Sequence, residues 1–275
     1  MLVLSLFPGI GLLDMAFELE GFTVVRGPDV LWGGDIRRFH PPAGKFDGVI
    51  GGPPCQMFSR MAHMVRHNGL QPKFGNLIPE FERCVLDARP TWFIMENVPD
   101  APVPFGGFGG GAPYPGCGFY GMHTFILNNR QCMDEDGNPA TQNRFRRWTF
   151  GWYEGRRVLP VEIATFENQV FERAALGGSD TREVPIKIGG SGKRKTTLPF
   201  NAKGRRSLAE LCAKQGLPSG FMEHIPFTAQ ASCKAIGNGV PLPMGRAIAR
   251  AVKEAITTDP PPPAGAASCS EGKRQ

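Results

Sequence analysis

The chain has 275 residues, enough for one large domain or for one domain with a smaller lobe. Its 41% hydrophobic content is ordinary for a globular protein, and 31 Lys and Arg against 25 Asp and Glu leave a net charge of +6, which suits a polyanionic partner without requiring one. Seven cysteines, an odd number with no Cys-x-x-Cys pair, argue against a disulfide framework or a zinc knuckle and for a reducing, cytoplasmic setting, and no apolar run approaches the ~20 residues of a membrane span.

Residues 2–7 are a continuous apolar run with no basic residue before it, so a first strand is expected rather than a signal peptide. Pro8-Gly9-Ile10-Gly11 is a tight turn. Residues 12–20 carry apolar side chains at helical spacing, and Gly21 stops the helix. Residues 22–25 and 46–50 read as strands, residues 77–89 as a helix, and residues 92–95 as a strand that ends at Glu96-Asn97. Strands alternating with helices imply an α/β, doubly wound parallel sheet.

Beyond this the pattern changes. Residues 99–121, rich in Gly, Pro and aromatics, are expected to form a long functional loop with no regular element. Residues 123–128 and 147–152 are strand candidates, and residues 243–256 have the periodicity of an amphipathic helix. The expected organisation is a catalytic and cofactor-binding domain over 1–150, a small irregular lobe over 151–205, a return segment over 206–257 and a disordered tail over 258–275.

The chemistry concentrates at strand ends. Gly51-Gly52-Pro53-Pro54-Cys55-Gln56 follows an apolar strand and sets a thiol where α/β folds place their reactive groups. The prolines stiffen the turn, and a thiolate there is a candidate nucleophile, although a free cysteine is often only a small buried hydrophobe. Arg60, His63, Arg66 and His67 make the following loop basic. The two histidines are four apart but no third ligand is in view, and no metal is expected. Glu96 ends a buried strand, where lost hydration suits a group that donates a proton to a ring nitrogen; a loop-bracing acid is the alternative. Gly9 and Gly11 let a ligand approach the start of a helix, while Asp29 and Asp35 are candidate ribose or cofactor carboxylates. Arg144 and Arg146 should share one strand face and meet a phosphate or base carbonyl, or else guard a sheet edge.

In this order the motifs resemble those of the DNA cytosine-5 methyltransferases, over nearly all of residues 1–257. Phe7 to Gly11 resembles the first motif, Pro54-Cys55-Gln56 the nucleophile motif, Glu96-Asn97-Val98 the acid motif and Gln142-x-Arg144-x-Arg146 the arginine motif. The run from Ala235 to Pro241 resembles the last motif, and Gly216-Leu217-Pro218 belongs to a segment that resembles the one before it. The chain departs from the family at Gly11-Leu12, where two glycines are usual. The segment between the arginine motif and Arg206, which in the family holds the target recognition domain, is short.

The resemblance implies a Rossmann-like methyltransferase sheet with a small target-recognition lobe. It implies attack of Cys55 on cytosine C6, Glu96 on N3 and the exocyclic amine, Arg144 on O2 and Arg146 in support. It implies S-adenosylmethionine held by Phe7, Gly9, Ile10 and Gly11, by Asp29, Asp35 and Pro53, and by Asn238 and Val240. The partner is double-stranded DNA, gripped through Gln56, Ser59 and Arg60 and through the basic run at Lys193, Arg194 and Lys195, and the enzyme is expected to be a monomer. The alternatives are a transfer RNA cytosine-5 methyltransferase, whose Cys-Phe-Thr element the chain lacks, and a catalytically weak DNA-binding homologue.

Overall fold

In the computed structural model, strand β1 (Leu2–Leu6) lies between two parallel neighbours, β2 (Thr23–Arg26) and β3 (Gly48–Gly51), and β3 pairs in parallel with β4 (Trp92–Asn97). The structure describes residues 1–54, 57–58, 75–106, 112–113, 119–153, 155, 157–165, 172–173 and 207–258. Beyond β4 the winding changes sense. Strand β8 (Phe145–Tyr153) runs antiparallel to β4, and β6 (Phe119–Asn128) antiparallel to β8, with β5 (Ala112–Pro113) at the edge. The sheet order is β2-β1-β3-β4-β8-β6-β5. A short parallel pair, β7 (Gln142–Asn143) with β9 (Glu172–Arg173), stands apart.

The expected α/β sheet is therefore present, but it is parallel only across its first four strands. Antiparallel neighbours need no helical crossover, and none of the described residues between β6 and β8 forms an α-helix. The expected loop over residues 99–121 is corrected too, since β6 begins at Phe119. Tyr120 is buried there and its hydroxyl donates to the Pro90 carbonyl at 2.6 Å. The expectation of no regular element failed because glycines in the approach masked a strand fixed by pairing with Trp152.

Two layers of helix cover the sheet. Helices α1 (Leu12–Leu19) and α5 (Leu242–Thr257) pack on one face over Val3, Trp92, Ile94, Trp148 and Phe150. Helix α2 (Ile78–Ala88) packs on the other over Leu4, Leu6, Val49, Phe93 and Met95. Alternation along β4 sends Trp92 and Ile94 to the first core and Phe93 and Met95 to the second. Full burial of side chains such as Phe17 and Phe93 contributes about 2–3 kcal/mol each. A third cluster joins Leu12 of α1 to Leu211 of α3 (Leu208–Lys214) and Ile236 of α4 (Ala229–Asn238).

Strand β8 continues to Tyr153, so residues 151–153 belong to the sheet. Residues 157–165 then cross back over the core, where Leu159 is buried and Arg157 donates to the Ala255 carbonyl at 2.6 Å. Most of the expected lobe and the tail beyond 258 lie outside the described residues. Among the described residues no helix is long and apolar enough to cross a membrane.

Candidate active site

The site is built at the carboxyl ends of β1 to β4. After β1 the backbone turns left-handed at Phe7 (φ 56°), an uncommon conformation for a residue with a side chain. Gly9 (φ 57°) and Gly11 (φ 81°) complete the turn into α1, closed by Gly11 N–H donating to the Pro8 carbonyl at 2.8 Å. Strained backbone of this kind clusters at ligand sites.

No helix separates β2 from β3, only two 3₁₀ turns, Val30–Trp32 and Ile36–Arg38. Asp29 caps the first and accepts from Leu31 N–H at 2.8 Å and from Gly9 N–H at 2.9 Å. Asp35 caps the second, accepting from Arg37 N–H at 3.1 Å. Between these turns lies a cavity of about 310 Å³, lined by Phe7, Asp29, Asp35, Ile36, Pro54 and Leu77 among others. Apolar walls with a few placed carboxylates, at this volume, suit a small polar organic ligand. A nucleoside fits that donor set, with its hydroxyls on the carboxylates and its base between Phe7, Ile36 and Leu77.

An ion pair stands at Gly52, two residues before Pro54 of the cavity wall. Glu96 closes β4, Arg146 lies on β8, and Arg146 Nε meets Glu96 Oε1 at 2.6 Å, with both side chains mostly buried. The other carboxylate oxygen lies against Gly52, where an added Cβ would stand 3.0 Å from it. Asn97 Nδ2 donates to the Pro53 carbonyl at 3.2 Å, fastening the turn that leads to Cys55 onto the strand that carries the acid. Cys55, Gln56, Ser59, Arg60, His63 and His67 lie outside the described residues, as do Lys193, Arg194 and Lys195. Three described cysteines are poor nucleophiles. Burial pushes the Cys84 thiol up to about 11 and the Cys132 thiol up to about 12, and raises that of Cys212.

The profile of the C-5 cytosine-specific DNA methylases matches residues 33–101, which span Asp35, the Pro53-Pro54 turn and Glu96. The type II methyltransferase M.FnuDI of Fusobacterium nucleatum is 34% identical over 114 residues, covering 36% of this chain and 32% of its own. M.NgoPII of Neisseria gonorrhoeae is 31% identical over 116 residues, 36% of this chain and 33% of its own. Over this segment the chain is similar to the DNA cytosine-5 methyltransferases. It spans about a third of the length of these curated relatives. DNMT2 of Spodoptera frugiperda superposes with a TM-score of 0.59 at 13% identity, over 92% of this chain and 99% of that one. A candidate prophage DNA modification methyltransferase of E. coli superposes at 0.56 and 15% identity, over 93% and 99%. Both likenesses concern the fold.

The two arginines part company. Arg144 is 2% exposed, and its guanidinium donates to the Gly237 carbonyl at 2.9 Å and the Gly239 carbonyl at 2.8 Å. The end of α4 presents bare carbonyls and the negative end of a helix dipole, which draw a buried cation. Arg144 thus secures the last motif, while Arg146 pairs with Glu96. Arg144→Met is expected to lower stability by about 2–4 kcal/mol, since two buried carbonyls lose their charged donor. The midpoint of urea unfolding measures it.

Phe7, Asp29 and Asp35 line the cavity, and Gly9 is hydrogen-bonded to Asp29. Gly11 caps α1 against the Arg26 guanidinium, and Pro53 is held by Asn97. The side chains of Ile10 and Val240 pack in the core clusters, and Asn238 is exposed at the end of α4. Leu12, the departure from the usual second glycine, is 2% exposed and packs on Gly239, where a Cβ would collide with it. The leucine is therefore accommodated on the core side of the turn.

Two supporting residues escaped sequence reasoning. Gln215 is fully buried and donates to the Ile236 carbonyl at 2.6 Å and the Gly239 carbonyl at 3.3 Å, while its own oxygen accepts from Gln142 at 3.2 Å. Asp14, fully buried under the glycine turn, accepts from Ser5 Oγ at 2.5 Å and pairs with Arg26 at 2.9 Å. Burial raises its pKa, against the pull of Ser5 and Arg26. A lone acid on the apolar face of α1 was the available signal for Asp14; Gln215 had none.

Proposed function

We propose that this chain transfers a methyl group from S-adenosylmethionine to C5 of a cytosine turned out of double-stranded DNA. The observation that carries this reading is the Glu96–Arg146 pair set against Gly52, two residues before Pro54 of the cavity wall in the turn leading to Cys55. S-adenosylmethionine supplies an electrophilic methyl carried on a sulfonium. Asp29 and Asp35 hold its sugar and base edges, and Phe7 and Leu77 its apolar faces.

Cytosine C5 is a weak nucleophile until the ring is opened to attack at C6. The Cys55 thiolate forms the S–C6 bond, and the ring electrons move to C5 as an enamine. Glu96 holds the exocyclic amine and hydrogen-bonds or protonates N3, which drains charge from the ring. Arg146 supports the site by orienting Glu96, and Arg144 is the candidate to bind the cytosine O2. The methyl would pass to C5 as its bond to the donor sulfur breaks, the electron pair staying on sulfur and S-adenosylhomocysteine leaving as a neutral thioether; a base then takes the C5 proton, the S–C6 bond breaks and the thiolate returns. The target leaves the duplex at a cost of a few kcal/mol in lost stacking. The enzyme acts as a monomer on duplex DNA.

The test is transfer of labelled methyl from S-adenosylmethionine to duplex DNA, single-stranded DNA and transfer RNA, with duplex DNA expected to accept. Labelling of transfer RNA alone overturns the substrate; labelling of nothing overturns the activity. Asp29→Ala is expected to raise the cofactor Kd by about tenfold or more, through loss of a charged hydrogen-bond acceptor, with DNA affinity nearly unchanged. Calorimetric titration of each ligand reads both.

A further inference from the structure

We propose that Trp32 is a positioning residue of the methyl-donor site, fixing the glycine turn through Gly9 and tying it to the return segment through Phe227. The inference rests on the functional reading above. Trp32 is 55% exposed, whereas Trp92, Trp148 and Trp152 are buried. An indole left so open has an arrangement to maintain.

Its Nε1–H donates to the Gly9 carbonyl at 2.7 Å. Gly9 is thus held on both sides of its Cα by one short turn, its N–H by Asp29 at 2.9 Å and its carbonyl by Trp32. A Cβ added at Gly9 would meet nothing within 4 Å among the described residues. The turn thus has fixed backbone groups and room for a ligand at Gly9, the preorganisation that binding favours. The indole ring also stacks on Phe227, centroids 5.4 Å apart and planes at 28°. Phe227 immediately precedes Thr228, the N-cap of the helix that carries Asn238. Trp32 thereby joins the first and last motifs from outside, while Leu12 and Gly239 join them within the core. A phenylalanine at position 32 keeps the stacking and loses the N–H; alanine loses both.

Trp32→Phe and Trp32→Ala are titrated calorimetrically with S-adenosylmethionine, and unfolding midpoints are taken without ligand. The cofactor Kd is expected to rise about fivefold in Trp32→Phe and more than about tenfold in Trp32→Ala, with the kinetic loss in KM rather than kcat. The ligand-free midpoint should move little, because the side chain is half in solvent. A Trp32→Ala protein that binds cofactor as tightly as the parent overturns the inference, as does one whose midpoint falls while its Kd holds. A parent protein that binds no S-adenosylmethionine overturns the functional reading and this inference with it, so the two failures are distinct.

Discussion

Cys55→Ala is expected to reduce methyl transfer below detection while leaving the fold and duplex binding intact. Without the thiolate no bond forms at C6, C5 never gains enamine character, and the methyl group has no nucleophile to accept it. Cys84 and Cys132 cannot substitute, because their buried thiols sit at about 11 and about 12 and stay protonated at neutral pH. A duplex carrying 5-fluorocytosine at the target gives a second reading. The wild-type protein should be trapped covalently, since the C5 substituent cannot leave as a proton, and mass spectrometry should place the adduct on Cys55. Trapping that survives in Cys55→Ala would falsify the assignment.

Glu96→Gln is expected to slow single-turnover methylation by roughly 10²-fold or more, as for loss of a general acid. Glutamine keeps the size of the side chain and one acceptor oxygen toward Arg146, but it cannot deliver a proton to N3. Cofactor affinity should stay within a few fold, because Glu96 faces Gly52 and Arg146 rather than the Asp29 turn. Arg146→Met should lower the rate as well. Because the two residues share a contact at 2.6 Å, the double variant should lose less than the summed effects of the singles. Calorimetry showing lost cofactor binding with the chemical step spared moves Glu96 out of the base site, and fully additive losses dissolve the pair.

The first half of the molecule was legible because local signals and tertiary structure agree. The apolar run 2–7, the Pro-Gly punctuation and the periodic helix after it became β1, the left-handed turn and α1. Helix α5 was equally plain, since its apolar face repeats over four turns and eleven of its residues are buried. Helix α4 was not. Its Ala, Gln, Ser, Cys and Lys carry little periodicity, and only Ser232, Ile236 and Gly237 are buried. The start of β6 was hidden for a related reason, because Phe119 and Tyr120 pair only with the two-residue strand β5 and Gly121 with Trp152, some thirty residues away in the chain. In the site, Glu96 and Arg146 were each visible, but their pairing across β4 and β8 was not. Spacing placed Arg144 with Arg146, and could not show that α4 would leave carbonyls at Gly237 and Gly239 for Arg144 to satisfy.

The Gly9 turn and the α4 turn come from opposite ends of the chain, and this fixes when the protein becomes competent. Arg246 and Arg250 on α5 reach back to Glu20 across 226 and 230 residues. Contacts that close such long loops form late in folding, after local strands and helices. During synthesis the cavity walls emerge first and wait, unbraced, for α4 and α5. The cavity and the helices that brace its turn are therefore brought together late, by the contacts that span the whole chain.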